Sequence, residues 1–137
     1  MRIEQGANTV ATMDETIGFI GLGAMGRGMA SNCVKKGFKL VVFDLNPVPV
    51  EVLVKLGATA AKSVAEVAKA CSIVITVLPT GKEVGEIVLG AGGVIASMKP
   101  GGLVMDLSTI DPETTDRLHA DGKARGIVVE TKEGRQA

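Results

Sequence analysis

Residues Gly21-Leu22-Gly23-Ala24-Met25-Gly26 place three glycines at G-x-G-x-x-G spacing. Such a turn does chemistry only where a strand runs into it and a helix leaves it. Here Ile17 to Ile20 is a short apolar run of strand type. Ala24 to Lys36 then sets Met25, Met29, Ala30, Cys33 and Val34 at helical spacing, and Gly37 stops the helix. In that setting Gly21 permits a tight turn, Gly23 has no Cβ to hold a ligand off the backbone, and Gly26 lets the helix lie close on the strand. The N–H groups at the helix start, with the helix dipole behind them, offer a seat for a diphosphate. The competing reading is that the glycines serve close packing alone. A P-loop is excluded, because Arg27 and Gly28 follow Gly26 where Lys and then Ser or Thr are needed.

Asp44 is the second chemical residue. It ends the apolar run Lys39–Phe43, 23 residues after Gly21. A carboxylate there accepts hydrogen bonds from both hydroxyls of a ribose and repels a 2′-phosphate. Leu45 and Asn46 follow, and no Arg stands nearby to hold such a phosphate. The pairing of glycine turn and acid therefore points to NAD, with NADP less favoured. The alternative for Asp44 is a turn-forming role in Asp-Leu-Asn-Pro.

The remaining elements alternate in type. Pro47 or Pro49 opens a helix that runs to Leu56 and stops at Gly57. Ala58 to Ala60 reads as a weak strand. Ser63 caps a helix to Ala70, with Glu66 three residues on. Ser72 to Leu78 is a strand ended by Pro79. Lys82 to Leu89 and Val94 to Met98 are short helices, and Gly102 to Leu107 is a strand. Asp111-Pro112 starts a helix reaching about Arg125, and Ile127 to Val129 is the last strand. Strands alternating with helices predict an α/β fold: a doubly wound Rossmann parallel sheet of about six strands, order 3-2-1-4-5-6, with helices on both faces. Residues 1–15 are polar and aperiodic. They read as a flexible leader, with the dinucleotide-binding domain over 16–137.

Composition agrees and excludes other classes. The chain has 137 residues, of which 46% are hydrophobic, with three Phe and no Trp or Tyr, so the core must be aliphatic. Fifteen basic residues balance fifteen acidic ones, which leaves no basic footprint for nucleic acid. No apolar stretch reaches membrane-spanning length, and no signal-peptide pattern opens the chain. Cys33 and Cys71 read as reduced thiols of a cytoplasmic protein. One His and two distant Cys cannot build a zinc site. His119 lies mid-helix and reads as a packing or surface residue. Asp106 could act as a base or serve structure.

Three stretches, in order, carry a resemblance: Ile17 to Asn32 (IGFIGLGAMGRGMASN), Val77-Leu78-Pro79-Thr80, and Asp106-Leu107-Ser108-Thr109-Ile110-Asp111-Pro112. Together they resemble the beta-hydroxyacid dehydrogenase family, which includes 3-hydroxyisobutyrate dehydrogenase, tartronate semialdehyde reductase and sulfolactaldehyde reductase and is related to 6-phosphogluconate dehydrogenase. The resemblance covers about residues 16–129. It implies reversible hydride transfer between a nicotinamide and a 3-hydroxy acid or its semialdehyde. It also implies that Ala24, Met25, Leu78 and Pro79 touch the cofactor, that Thr109 lies by the nicotinamide, and that Ser108 faces the substrate carboxylate. Apart from the resemblance, Ser108 and Thr109 sit where open α/β sheets bind ligands, or they cap the following helix. A methyltransferase with a similar glycine turn is disfavoured by Leu78-Pro79 and by Asp106 to Thr109.

The sequence also departs from the family. After the last strand the family continues with D-A-P-V-S-G-G or D-x-P-V-G-R. Here Glu130 to Ala137 offers neither Pro nor Ser, with Arg135 a weak match to the second form. The family's proton-transferring lysine belongs to G-x-x-x-K-x-x-N in a C-terminal helical domain, and that motif does not occur here. Lys123 and Lys132 stand in the wrong context to replace it. The expectation is an NAD-binding cofactor domain with no catalytic residue of its own and no turnover alone. A non-catalytic dinucleotide-binding or interaction module is the alternative, and a homo-oligomer is one assembly the family allows.

Overall fold

Strands buried on both faces need apolar side chains at every position, and the central runs of this chain supply them. The computed structural model describes residues 2–5, 9–12 and 15–132. Six strands form one sheet: β3 (Thr16–Ile20), β4 (Lys39–Phe43), β5 (Thr59–Ala60), β6 (Ile73–Thr76), β7 (Leu103–Asp106) and β8 (Val128–Thr131). Their order is β5-β4-β3-β6-β7-β8, and every pair is parallel. This is the doubly wound order expected from the alternation of elements. β1 (Arg2–Gln5) and β2 (Thr9–Thr12) pair antiparallel in a separate two-stranded sheet. The leader was expected to be without regular structure. Strands of four residues are too short for a periodic signal to reveal.

The helices are α1 (Ala24–Lys35), α2 (Pro47–Leu56), α3 (Val64–Ala70), α4 (Gly81–Val84), α5 (Val94–Ser97) and α6 (Pro112–Arg125). α4 runs on into a wider π turn, Gly85–Leu89. The caps expected at Ser63 and Asp111 are present, and Asn46, not read as a cap, starts the helix that Pro47 opens. Asn46, Ser63 and Asp111 accept from Val48, Glu66 and Thr114 N–H at the starts of α2, α3 and α6. Several elements end differently from expectation, two of them at the cleft. The strand read over Ser72 to Leu78 is shorter, because Val77 and Leu78 turn away at the cleft. The last strand is longer and carries Glu130 and Thr131 alongside Met105 and Asp106.

Each face of the sheet has its own core. On one side Ile17, Phe19, Leu40, Val42, Ile73, Ile75 and Leu103 pack with Ala30 of α1 and Leu53 of α2. On the other Ile20, Val74, Val104 and Val129 pack with Val67, Val84, Ile95 and Leu118. Along the central strands β3, β4, β6 and β7 the side chains alternate between the two faces, as the pleat demands. The order of the sheet reverses between β3 and β6. That reversal opens a crevice at the carboxyl ends of the strands, where ligands of such sheets bind.

Two glycines of α1 make opposite predictions. A Cβ on Gly26 would collide with the carbonyl oxygen of Gly21, whereas a Cβ on Gly28 would meet nothing within 4 Å. Gly26→Ala is expected to lower unfolding stability by about 1–3 kcal/mol through overpacking. Gly28→Ala should raise it by roughly 0.5–1 kcal/mol through helix propensity. Thermal melts of both variants decide it, and a Gly26→Ala protein as stable as the parent would remove the close-packing role.

Candidate functional site

The glycine turn is built by three constraints. Gly21 takes φ +98, a left-handed conformation that side chains resist, and a Cβ there would strike the carbonyl of Val77. Leu22 turns its side chain into the core, where it is 2% exposed. Gly23 then stands at the start of α1 with no side-chain cap on the helix and no acidic residue in the first turn. The first N–H groups of an α-helix have no partner within it, so the front of α1 presents unpaired donors and the positive end of its dipole. A Cβ on Gly23 would meet nothing within 4 Å, so the space in front of the turn is open.

Asp44 ties this turn to β4. Its Oδ2 accepts from Leu22 N–H at 2.6 Å, and its Oδ1 accepts from Asn46 N–H at 2.8 Å. One carboxylate thus holds the residue inside the turn and the cap of α2 together. Each oxygen keeps a second lone pair for a further donor. The alternative role weighed for Asp44, turn formation, is therefore present through Asn46, together with a place on the cleft wall.

The other wall comes from the tips of β6 and β7. Thr76 Oγ1 donates to Asp106 Oδ1 at 2.6 Å, and Ser108 Oγ donates to the same oxygen at 2.8 Å. Ser108 Oγ also accepts from Leu78 N–H at 2.8 Å. Thr76, Asp106 and Ser108 are all buried. Asp106 is thus the structural hub of two strand ends. Past Pro79, Thr80 caps α4 and donates to Glu83, a hydrogen bond that holds the Glu83 carboxyl below its usual range. From the far edge Lys132 Nζ donates to Thr109 Oγ1 at 3.0 Å.

These walls enclose a cleft of about 570 Å³. Of the residues expected at a cofactor or substrate, Gly21, Gly23, Ala24, Met25, Gly26, Asp44, Leu45, Leu78, Pro79, Ser108 and Thr109 line it. Leu22 and Asn46 do not. They serve the site through their backbone N–H groups on Asp44, and Asn46 also caps α2. The sequence reading missed Ile20, Phe43, Val77, Glu83, Ile87, Leu107 and Lys132. Ile20, Phe43, Val77 and Leu107 lie at or just after strand ends converging on the cleft, whereas Ile87 comes from the π turn after α4. Lys132 was assigned to a polar tail because the last strand was ended at Val129. Arg135 lies outside the described residues.

Other reactive groups stand apart. His119 is buried on α6, and its Nε2 has no hydrogen-bond partner among the described residues. Lys123 lies in the last turn of α6, exposed. Burial raises the thiols of both cysteines, that of Cys71 to about 11 from an ordinary 9.0. No group of three or more His, Cys, Asp or Glu side chains among the described residues is placed to hold a metal ion. No described helix is long and apolar enough to cross a membrane.

Comparison with known proteins agrees with this geometry. Residues 16–129 match the family model of the NAD binding domain of 6-phosphogluconate dehydrogenase. The chain is 46% identical over 111 residues to 3-sulfolactaldehyde reductase of Escherichia coli, covering 81% of this chain and 37% of that protein. Among solved structures it is similar to 3-hydroxyisobutyrate dehydrogenase of Salmonella typhimurium, at 32% identity and a TM-score of 0.78, over 85% of this chain and 40% of that one. It is also similar to a structure described as Psf3 in complex with NADP+ and 2-OPP, at 27% identity and a TM-score of 0.79, over 82% of this chain and 40% of that one. The chain thus spans about two fifths of the length of the relatives it matches.

Two outcomes are expected. Asp44→Ala strands the part-buried Leu22 N–H, frees the exposed Asn46 N–H to water, and should cost about 1–3 kcal/mol in urea unfolding. An unchanged midpoint would show that these bonds do not hold the turn. For Cys71, the folded thiol keeps its proton to about 11 while the unfolded one loses it at 9.0, so stability should fall as the pH rises through that interval. At pH 8, iodoacetamide should modify Cys71 far more slowly in the native chain than in the unfolded one. Equal rates would contradict its burial.

Proposed function

This chain belongs to the family of the NAD binding domain of 6-phosphogluconate dehydrogenase, and on that premise we propose that its cleft takes NAD in preference to NADP and presents it for hydride transfer with a small 3-hydroxy acid or its semialdehyde. The observation that carries this reading is the uncapped front of α1 with the Asp44 carboxylate beside it. The open space before Gly23 and the absence of an acid in the first helical turn fit an anionic diphosphate.

Each residue then has a physical task. The N–H groups at the start of α1 bind the diphosphate, and Gly23 lets it come close. Asp44 accepts from neutral ribose hydroxyls with its remaining lone pairs and opposes a 2′-phosphate by charge. Leu45 covers the adenosine side. Leu78 and Pro79 give an apolar surface for the nicotinamide half, and Thr109 lies at its reacting end. The cofactor supplies the redox chemistry, and the chain supplies orientation and electrostatics. Ser108, with its hydroxyl already engaged by Asp106 and Leu78, acts on the substrate side by holding the cleft floor.

The lysine motif tied to proton transfer by the family resemblance does not occur in the sequence. The reading therefore includes no turnover by these 137 residues alone. Titration calorimetry with NADH, NADPH and S-adenosylmethionine is the test. NADH should bind at least about tenfold more tightly than NADPH, with no binding of S-adenosylmethionine. Preference for NADPH would overturn the role given to Asp44, and reduction of NAD by the chain with 3-hydroxyisobutyrate would overturn the absence of turnover.

A further inference from the structure

We propose that Lys132 is an anion-binding residue of this cleft, and that it holds the carboxylate of the small acid at the end remote from Asp44. The inference rests on the dinucleotide reading above and adds to it a residue that no motif in the sequence marks.

Three observations carry it. The first is placement. Lys132 follows β8 directly, and its backbone N–H donates to the Asp106 carbonyl at 3.1 Å, which continues the β7–β8 ladder past Thr131. The base of the side chain is therefore fixed to the sheet. The second is direction. Lys132 lines the cleft, and its Nζ reaches Thr109 Oγ1 at 3.0 Å. Thr109 is a neutral partner and takes one of the three ammonium donors, so the positive charge stays uncompensated by that bond. The third is polarity along the cleft. Asp44 stands after β4 and Lys132 after β8, four strands along the order β4-β3-β6-β7-β8. At ordinary strand spacing that is roughly 19 Å. A carboxylate suited to neutral sugar hydroxyls lies at one end and an ammonium at the other.

Those observations select the ligand chemistry. With Asp44 on the adenosine sugar, the reacting end of the dinucleotide points toward Thr109, and a substrate meeting it there meets the ammonium. Lys132 is a compact point charge with several donors, suited to one end of a small carboxylate. Glu83 lines the same cleft and keeps its negative charge while accepting from the Thr80 hydroxyl, so Lys132 is the cationic side chain among the described cleft residues and Glu83 is an acid the ligand has to pass. A small anion meets its attraction at Lys132. A neutral alcohol of the same shape gains nothing from the charge.

The test uses the whole 137-residue chain saturated with NAD. 3-Hydroxypropanoate and its uncharged counterpart 1,3-propanediol are titrated separately and followed by saturation-transfer NMR. The acid should bind at least about tenfold more tightly than the diol. Lys132→Met should remove that advantage, Lys132→Arg should restore most of it, and NAD affinity should change less than about twofold in both variants. Circular dichroism establishes that each variant is folded. Equal binding of acid and diol by the parent chain would overturn the proposal, as would a Lys132→Met chain that keeps the acid's advantage or an NAD-loaded parent that binds no acid. A parent chain that fails to bind NAD overturns the dinucleotide reading itself, and this inference with it.

Discussion

The site depends on one carboxylate that satisfies two backbone donors from different parts of the chain. Asp44 accepts from Leu22 inside the glycine turn and from Asn46 at the cap of α2. Without an acceptor there, a partly buried N–H in a turn already forced into positive φ at Gly21 would be stranded. The turn sets the position of the front of α1, and hence the direction of its free donors. The residue read as a ligand for a sugar is thus also the residue that shapes the phosphate seat. In the proposed reading, binding and fold share one side chain.

The two walls of the cleft are made differently. The wall from β3 and α1 is a backbone wall: glycines, N–H groups and carbonyls in close approach, with the Leu22 side chain turned inward. The wall from β6 and β7 is a side-chain wall, with Thr76, Asp106 and Ser108 joined in a buried network. Such a network is favourable only when its members are paired, and pairing fixes their rotamers. In the proposed reading a flexible anion meets the first wall, where close backbone approach matters. The same reading puts a planar ring and a reacting carbon at the second, where fixed position matters more.

Much of the fold was legible because periodicity, caps and turns agreed with one another. Gly21, Gly23 and Gly26 announced the turn, Ser63 and Asp111 marked helix starts, and the alternation of elements gave the strand order. Asp44 was legible by its distance from the turn, but its hold on Leu22 was not, because a contact across 22 residues has no local signature. Ser108 was found by resemblance, yet its hydroxyl faces Asp106 and Leu78, which only the register of β6 on β7 reveals. Lys132 was missed because Glu130 and Thr131 look like a polar tail. They form a strand through backbone pairing with Met105 and Asp106, which hydrophobic pattern does not record. The pairing of β1 with β2 escaped because each strand has only four residues, too few for a periodic signal.

The shared oxygen of Asp106 has a consequence for how the cleft adapts to what enters it. Thr76 and Ser108 both donate to that atom, and Ser108 in turn takes the N–H of Leu78. The connections after β6 and after β7 are therefore latched to a common pin, and neither slides without dragging the other. Any accommodation to ligands of different size has to come from the periphery: the long arms of Glu83 and Lys132, or the exposed side chain of Met25. The floor acts as an anvil, and the rim does the fitting.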